Sequence, residues 1–155
     1  MRRRLTQAVV IFGVVFAAAQ LVRPDRTNPP IDPSRTIQAH VGTTGELPAI
    51  LHRSCGDCHS NATVWPWYSQ VAPLSWLVVR GVAEGRQAVN FSEWSSYSPS
   101  QRQTLLAASC DDASTGRMPG PWTLLRPETR LSSRDIETIC AAAQQTPARA
   151  AGGSQ

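Results

Sequence analysis

Lysine is absent from the 155 residues, so the whole Lys plus Arg count of 15 is arginine. No function attaches to that absence by itself. Other gaps exclude more. No stretch alternates apolar and polar residues for long enough to demand a strand, which leaves helices and loops to build the fold. No internal repeat is visible. Charged residues make up only 17% of the chain against 41% hydrophobic, so wholesale disorder and a collagen-like polymer are excluded. A polytopic membrane protein is excluded too. One domain is expected, since a single fold takes about 100 to 200 residues.

The formal charge of +4 would suggest an anionic partner if it lay on the folded body. It does not. Residues 1–26 hold Arg2, Arg3, Arg4, Arg23 and Arg26 against Asp25 alone, and the rest of the chain has ten arginines against ten acids. A nucleic-acid partner therefore loses its main support.

The excess charge flanks an apolar stretch, Leu5 to Val22, interrupted by Thr6, Gln7 and Gln20. As a helix it would be about 27 Å long, close to a bilayer core. With its basic leader, the stretch predicts a signal-anchor or signal peptide over 1–25 that sends the rest of the chain across the membrane. Retention as a membrane anchor is expected, with the domain on the periplasmic side. Cleavage near Ala17-Ala18-Ala19 is the alternative and would release it to the periplasm. No cysteine near the segment offers a site for lipid modification. Three prolines in 26–36 predict a semi-rigid linker that holds the domain off the membrane. Residues 37–145 form the expected domain, and 146–155 a disordered tail.

The domain reads as all-α, with about four short helices. The first starts near Gly45 or Glu46, because Thr43 as a cap would place Pro48 beyond the first turn. A second opens at Pro73. A third has Ser98, Pro99 and Gln101 as cap, first residue and capping-box partner. The last, capped by Ser132, places Ile136, Ile139, Cys140 and Ala143 on one face. Four such helices make a thin core, which a cofactor would thicken.

Cys55-Gly56-Asp57-Cys58-His59 is a C-x-x-C-H sequence, the spacing of covalent c-type haem attachment. Two thiols one helical turn apart can reach the two vinyl groups of a porphyrin, and the next residue turns its imidazole to the iron. Other uses of these residues compete. A thioredoxin-like pair needs a βαβ setting that is missing, and zinc held by Cys55, Cys58, Cys110 and Cys140 lacks a second close-spaced pair. A bare Cys55–Cys58 disulfide is the third alternative.

An iron bound by one imidazole has a sixth position, and methionine sulfur is the ligand that raises its potential for electron transfer. Met1 and Met118 are the only methionines. Met118 precedes Pro119 and so is held extended, which lets a loop present it on the far side of the haem. A gap-filling core methionine is the bland alternative. His52 lies on the attachment side, and His40, expected in a loop, is the alternative distal ligand.

These residues sit among longer blocks: CGDCHSN at 55–61, WPWYSQVAP at 65–73, GR at 85–86, NFSEW at 90–94, MP at 118–119 and RPETRLS at 126–132. Over about residues 23–141 the chain resembles the bacterial haem-binding domain family, small exported or anchored single-haem c-type cytochromes. The resemblance implies a small cytochrome c-like domain around one covalent haem c, attached at Cys55 and Cys58 and ligated by His59 and Met118. Arg126 and Thr123 depart from it, standing where family members often carry histidine and an aromatic residue.

Trp65, Trp67 and Tyr68 are expected as haem-pocket wall, and Arg86 and Asn90 as partners of haem propionates or, equally, as a solvated face. Cys110 and Cys140 are candidates for a disulfide closing a loop of about 30 residues around Met118, worth roughly 3 kcal/mol. The function expected is an electron carrier that meets redox partner proteins and needs no acid, base or nucleophile. A haem peroxidase or gas sensor with an open sixth position is the alternative.

Overall fold

The computed structural model describes residues 1–41 and 45–150. Thr43 and the last five residues of the expected tail lie outside them. The described residues contain seven α-helices, five short 3-10 helices and no strand. Four of the α-helices stand where sequence patterning puts them. They are α3 (Glu46–Ser54), α5 (Leu74–Ala88), α6 (Pro99–Ser114) and α7 (Ser133–Ala150).

Local chemistry accounts for their starts. The Ser98 side chain accepts from the Gln101 N–H and the Gln101 side chain returns to the Ser98 N–H, with Pro99 filling a position that needs no donor. Ser132 and Asp135 exchange the same pair of bonds ahead of α7. Helix α7 carries on to Ala150, into the segment expected as tail.

Two short helices went unforeseen, α2 (Ile37–Val41) and the single turn α4 (Gly56–His59). Helix α2 brings Ile37 into the core, and α4 packs against α5. Ile37 and Leu51 pack with Val89, Phe91, Trp94 and Leu106 in one buried cluster, and Ile50, Ala113 and Ile139 form a second between α3, α6 and α7. Cys110 and Cys140 are joined by a disulfide that bolts α6 to α7 beside the second cluster.

The N-terminal segment departs from expectation in two ways. Helix α1 (Arg2–Ala19) takes in all three leader arginines and buries no residue. No helix among the described residues is long and apolar enough to cross a membrane. The expected linker, moreover, is no free spacer. Asn28 donates to the Thr63 carbonyl at 2.9 Å, Asn61 donates to the Pro30 carbonyl at 3.2 Å, and Arg86 reaches the Thr27 carbonyl at 3.3 Å. Proline keeps this strand extended but leaves its carbonyls free to accept, so it lies down as a strap on the domain.

Candidate functional site

Helix α3 stops at Ser54 because Cys55 leaves helical geometry (φ −122°, ψ −29°), and α4 restarts at once in a new direction. The Cys58 and His59 N–H groups both bond to the Cys55 carbonyl, at 3.2 and 2.9 Å, so Cys55, Cys58 and His59 share one tight turn. Both cysteines are free thiols.

Four hydrogen bonds and one close backbone approach fix that turn. Ser60 Oγ donates to the Gly56 carbonyl at 2.7 Å, and Thr63 Oγ1 donates to the Asp57 carbonyl at 2.7 Å. The Asp57 carboxylate accepts from the Val64 N–H at 2.9 Å through one oxygen and from Arg126 through the other. The close approach is made by an absence. A Cβ placed on Gly85 would lie 2.5 Å from the Cys58 carbonyl oxygen, so α5 approaches α4 at a distance that only glycine permits.

His59 is the most constrained side chain here. Its Nδ1 lies 3.2 Å from the Val89 carbonyl, a partner that can only accept, so Nδ1 carries the proton and Nε2 keeps its lone pair. Burial lowers its pKa, opposed by that bond, which keeps the ring neutral. Phe91 flanks it, with ring centroids 6.0 Å apart.

Burial acts on the thiols in the other sense. Desolvation first, and then the neighbouring Cys58, pushes Cys55 up to about 11, against a small opposing pull from Arg53. Cys58 is raised as well, by burial and then by Asp57. Both are therefore neutral thiols near pH 7, unlike the thiolates of a redox-active C-x-x-C. The four-cysteine zinc set does not assemble, since Cys110 and Cys140 are bonded to each other. Among the described residues, no group of three or more His, Cys, Asp or Glu is placed to hold a metal ion.

Met118 sits in the loop after α6, where Gly116 takes φ +71° and the Met118 N–H bonds to the Asp112 carbonyl at 3.1 Å. The side chain is 47% exposed rather than buried as core filling. The Asp112 carboxylate acts weakly on His59, favouring its charged form. His40 is exposed at the end of α2, not in a loop, and His52 is exposed on α3.

The aromatic block divides. Tyr68 is buried, Trp67 stands 76% exposed, and the Trp65 Nε1–H is buried with no hydrogen-bond partner. Trp67 is thus not part of the core.

Arg86 and Asn90 serve the protein itself. Arg86 donates to the Ser60 carbonyl, Thr63 Oγ1 and Asn28 Oδ1, each at 2.8 Å, as well as to Thr27. Asn90 donates to Asn61 Oδ1 at 2.8 Å and accepts from the Ser92 N–H at 3.0 Å. Their polar groups cross-link the strap, the 60–63 loop and α5. Sequence reasoning missed Asp57 and Gly85. The signals were present, in the centre of CGDCH and in the GR pair at 85–86.

Comparison with curated proteins and with solved structures returned no match. The model of the haem-binding domain family matches residues 14–145, a span that holds the Cys55–His59 turn, the Gly85 contact and the Met118 loop. The chain therefore belongs to the haem-binding domain family.

Proposed function

We propose that the protein is an exported single-haem c-type cytochrome that passes electrons between redox partner proteins on the periplasmic side of the cytoplasmic membrane, with α1 retained as its tether. The haem is attached through Cys55 and Cys58 and ligated by His59 and Met118. One observation carries this reading: of four cysteines, the two left free are one turn apart beside an imidazole whose Nε2 lone pair is available. Reduced, unbridged cysteines are what a vinyl group needs for thioether formation, and a histidine fixed through Nδ1 is the form that ligates iron. The orphaned Trp65 N–H offers a donor to a bound cofactor.

When bound, the haem supplies a one-electron couple. The chain's own residues do the rest. Val89 orients the imidazole, Gly85 and Asp57 hold the turn, and the Asp112 carbonyl holds the Met118 loop. No catalytic residue is assigned. Export is supported by the Arg2–Arg4 leader ahead of an apolar run and by the Cys110–Cys140 bond, a type of cross-link that belongs to oxidising compartments.

The test is a spectrum of protein made in a host that matures cytochromes. The haem should resist acid-acetone extraction, and the oxidised protein should show the weak far-red band of iron bound to methionine sulfur. If Met118→Ala leaves that band intact, the ligation is wrong. The exposure of Met118 favours one second reading, a labile sixth position serving a peroxidase or a gas sensor. Rapid carbon monoxide binding by the reduced wild type selects it.

A further inference from the structure

Helix α1 presents apolar side chains around its whole circumference, among them Ile11, Phe12 and Val15 at 62 to 71% exposure. It ends against the domain. The Gln20 side chain pairs both ways with one residue: its Oε1 accepts from the Ala72 N–H at 3.0 Å, and its Nε2 donates to the Ala72 carbonyl at 3.3 Å. Two residues on, the Val22 carbonyl accepts from Trp76 Nε1 at 2.8 Å. The strap then follows, bonded to Ser69, Arg86 and Thr63 through Arg26, Thr27 and Asn28. No slack remains between helix and domain.

That connection places the first turn of α5 where α1 ends. Trp76 and Leu77 are 38% and 53% exposed there, beside Leu21 and Val22 at 85% and 64%, with Arg23 next in sequence. An indole that lies among apolar side chains and turns its N–H to a carbonyl suits the headgroup boundary of a bilayer, and a flanking arginine suits anionic lipid.

We propose that Leu21, Val22, Trp76 and Leu77 form a surface that docks on an anionic phospholipid bilayer, so that α1 and the haem domain move as one body with the domain held against the membrane surface. The occupant is lipid because the face continues the apolar surface of α1 and has Arg23 at its edge. This inference rests on the membrane reading of α1 and adds an orientation to it.

The experiment mixes the full chain with phosphatidylcholine–phosphatidylglycerol vesicles, with and without lipids brominated near the headgroup. Subtracting the emission of Trp76→Phe from that of the wild type isolates Trp76. Brominated vesicles should remove most of that difference emission. Leu77→Arg should abolish the quenching while the protein still sediments with vesicles. Separately, and without lipid, Gln20→Ala should lose hydrogen-exchange protection at the Ala72 amide.

Sedimentation with no quenching of Trp76 overturns the docking surface and leaves the α1 anchor standing. Failure to sediment overturns the anchor, and the docking with it. Unchanged protection at Ala72 overturns the rigid coupling. Self-association through this face in the absence of lipid, lost in Leu77→Arg, would replace the bilayer by a second copy of the chain.

Discussion

Arg126 donates through Nη1 to Asp57 Oδ2, and so ties the segment beyond Met118 to the centre of the CGDCH turn. The pair is little exposed, 28% and 27% at the two side chains, and Arg126 also holds Glu128 at 2.9 Å. Asp57→Asn keeps the acceptor for the Val64 N–H and removes only the ionic partner. Each of Asp57→Asn and Arg126→Gln should lower stability by about 1 kcal/mol, and the double variant by less than the sum. Urea unfolding of the four proteins measures the coupling. Strict additivity would mean that the pair holds nothing.

Gly85→Ala should be among the most damaging small changes in the domain. The added carbon would meet the Cys58 carbonyl oxygen at 2.5 Å, and backbone, unlike a flexible side chain, cannot step aside. A loss of about 1 to 3 kcal/mol is expected, with reduced haem incorporation. Gly13→Ala, where nothing lies within 4 Å, is the control and should leave the domain's unfolding unchanged.

The Cys110–Cys140 bond closes a sequence separation of 30 residues around the Met118 loop. Reduction should cost about 3 kcal/mol by releasing that loop in the unfolded chain. Intact mass after alkylation of the denatured haem-free protein should show two labels before reductant and four after it. The haem-loaded protein should show none and then two. Any other pair of counts redistributes the thiols.

Cys55 sets an alkaline limit on the haem-free fold. Its folded value of about 11 exceeds the ordinary 9.0, so from pH 9 upward the unfolded chain gives up a proton that the folded chain retains. Fewer protons on the unfolded side make stability fall as pH rises. The fall should total about 2 to 3 kcal/mol between pH 9 and 11 and then level off. Cys55→Ser should flatten the profile measured by denaturation at each pH.

What the sequence disclosed was local. The cap at Ser98, the turn of CGDCH and the start of α3 at Glu46 each depend on residues within four positions of one another. The strap was misread because its partners are distant: prolines announce an extended chain, but nothing near Asn28 says that Arg86 awaits it 58 positions on. The internal bonds of Arg86 and Asn90 are hidden from the sequence for the same reason, since their partners Asn28 and Asn61 lie 58 and 29 positions away. Trp67 stands exposed while Tyr68 beside it is buried, and nothing within WPWYSQ says which of the two rings turns inward.

Arg86 also orders events in time. Thr27 and Asn28 leave the ribosome first, but their partner follows 59 and 58 residues later, about 3 to 12 seconds at ordinary rates of synthesis. Gly85 arrives just before it. Until both are made, the turn that holds Cys55 and Cys58 has no α5 against it. The strap therefore waits without its Arg86 partner while the turn at Cys55 to His59 is being made.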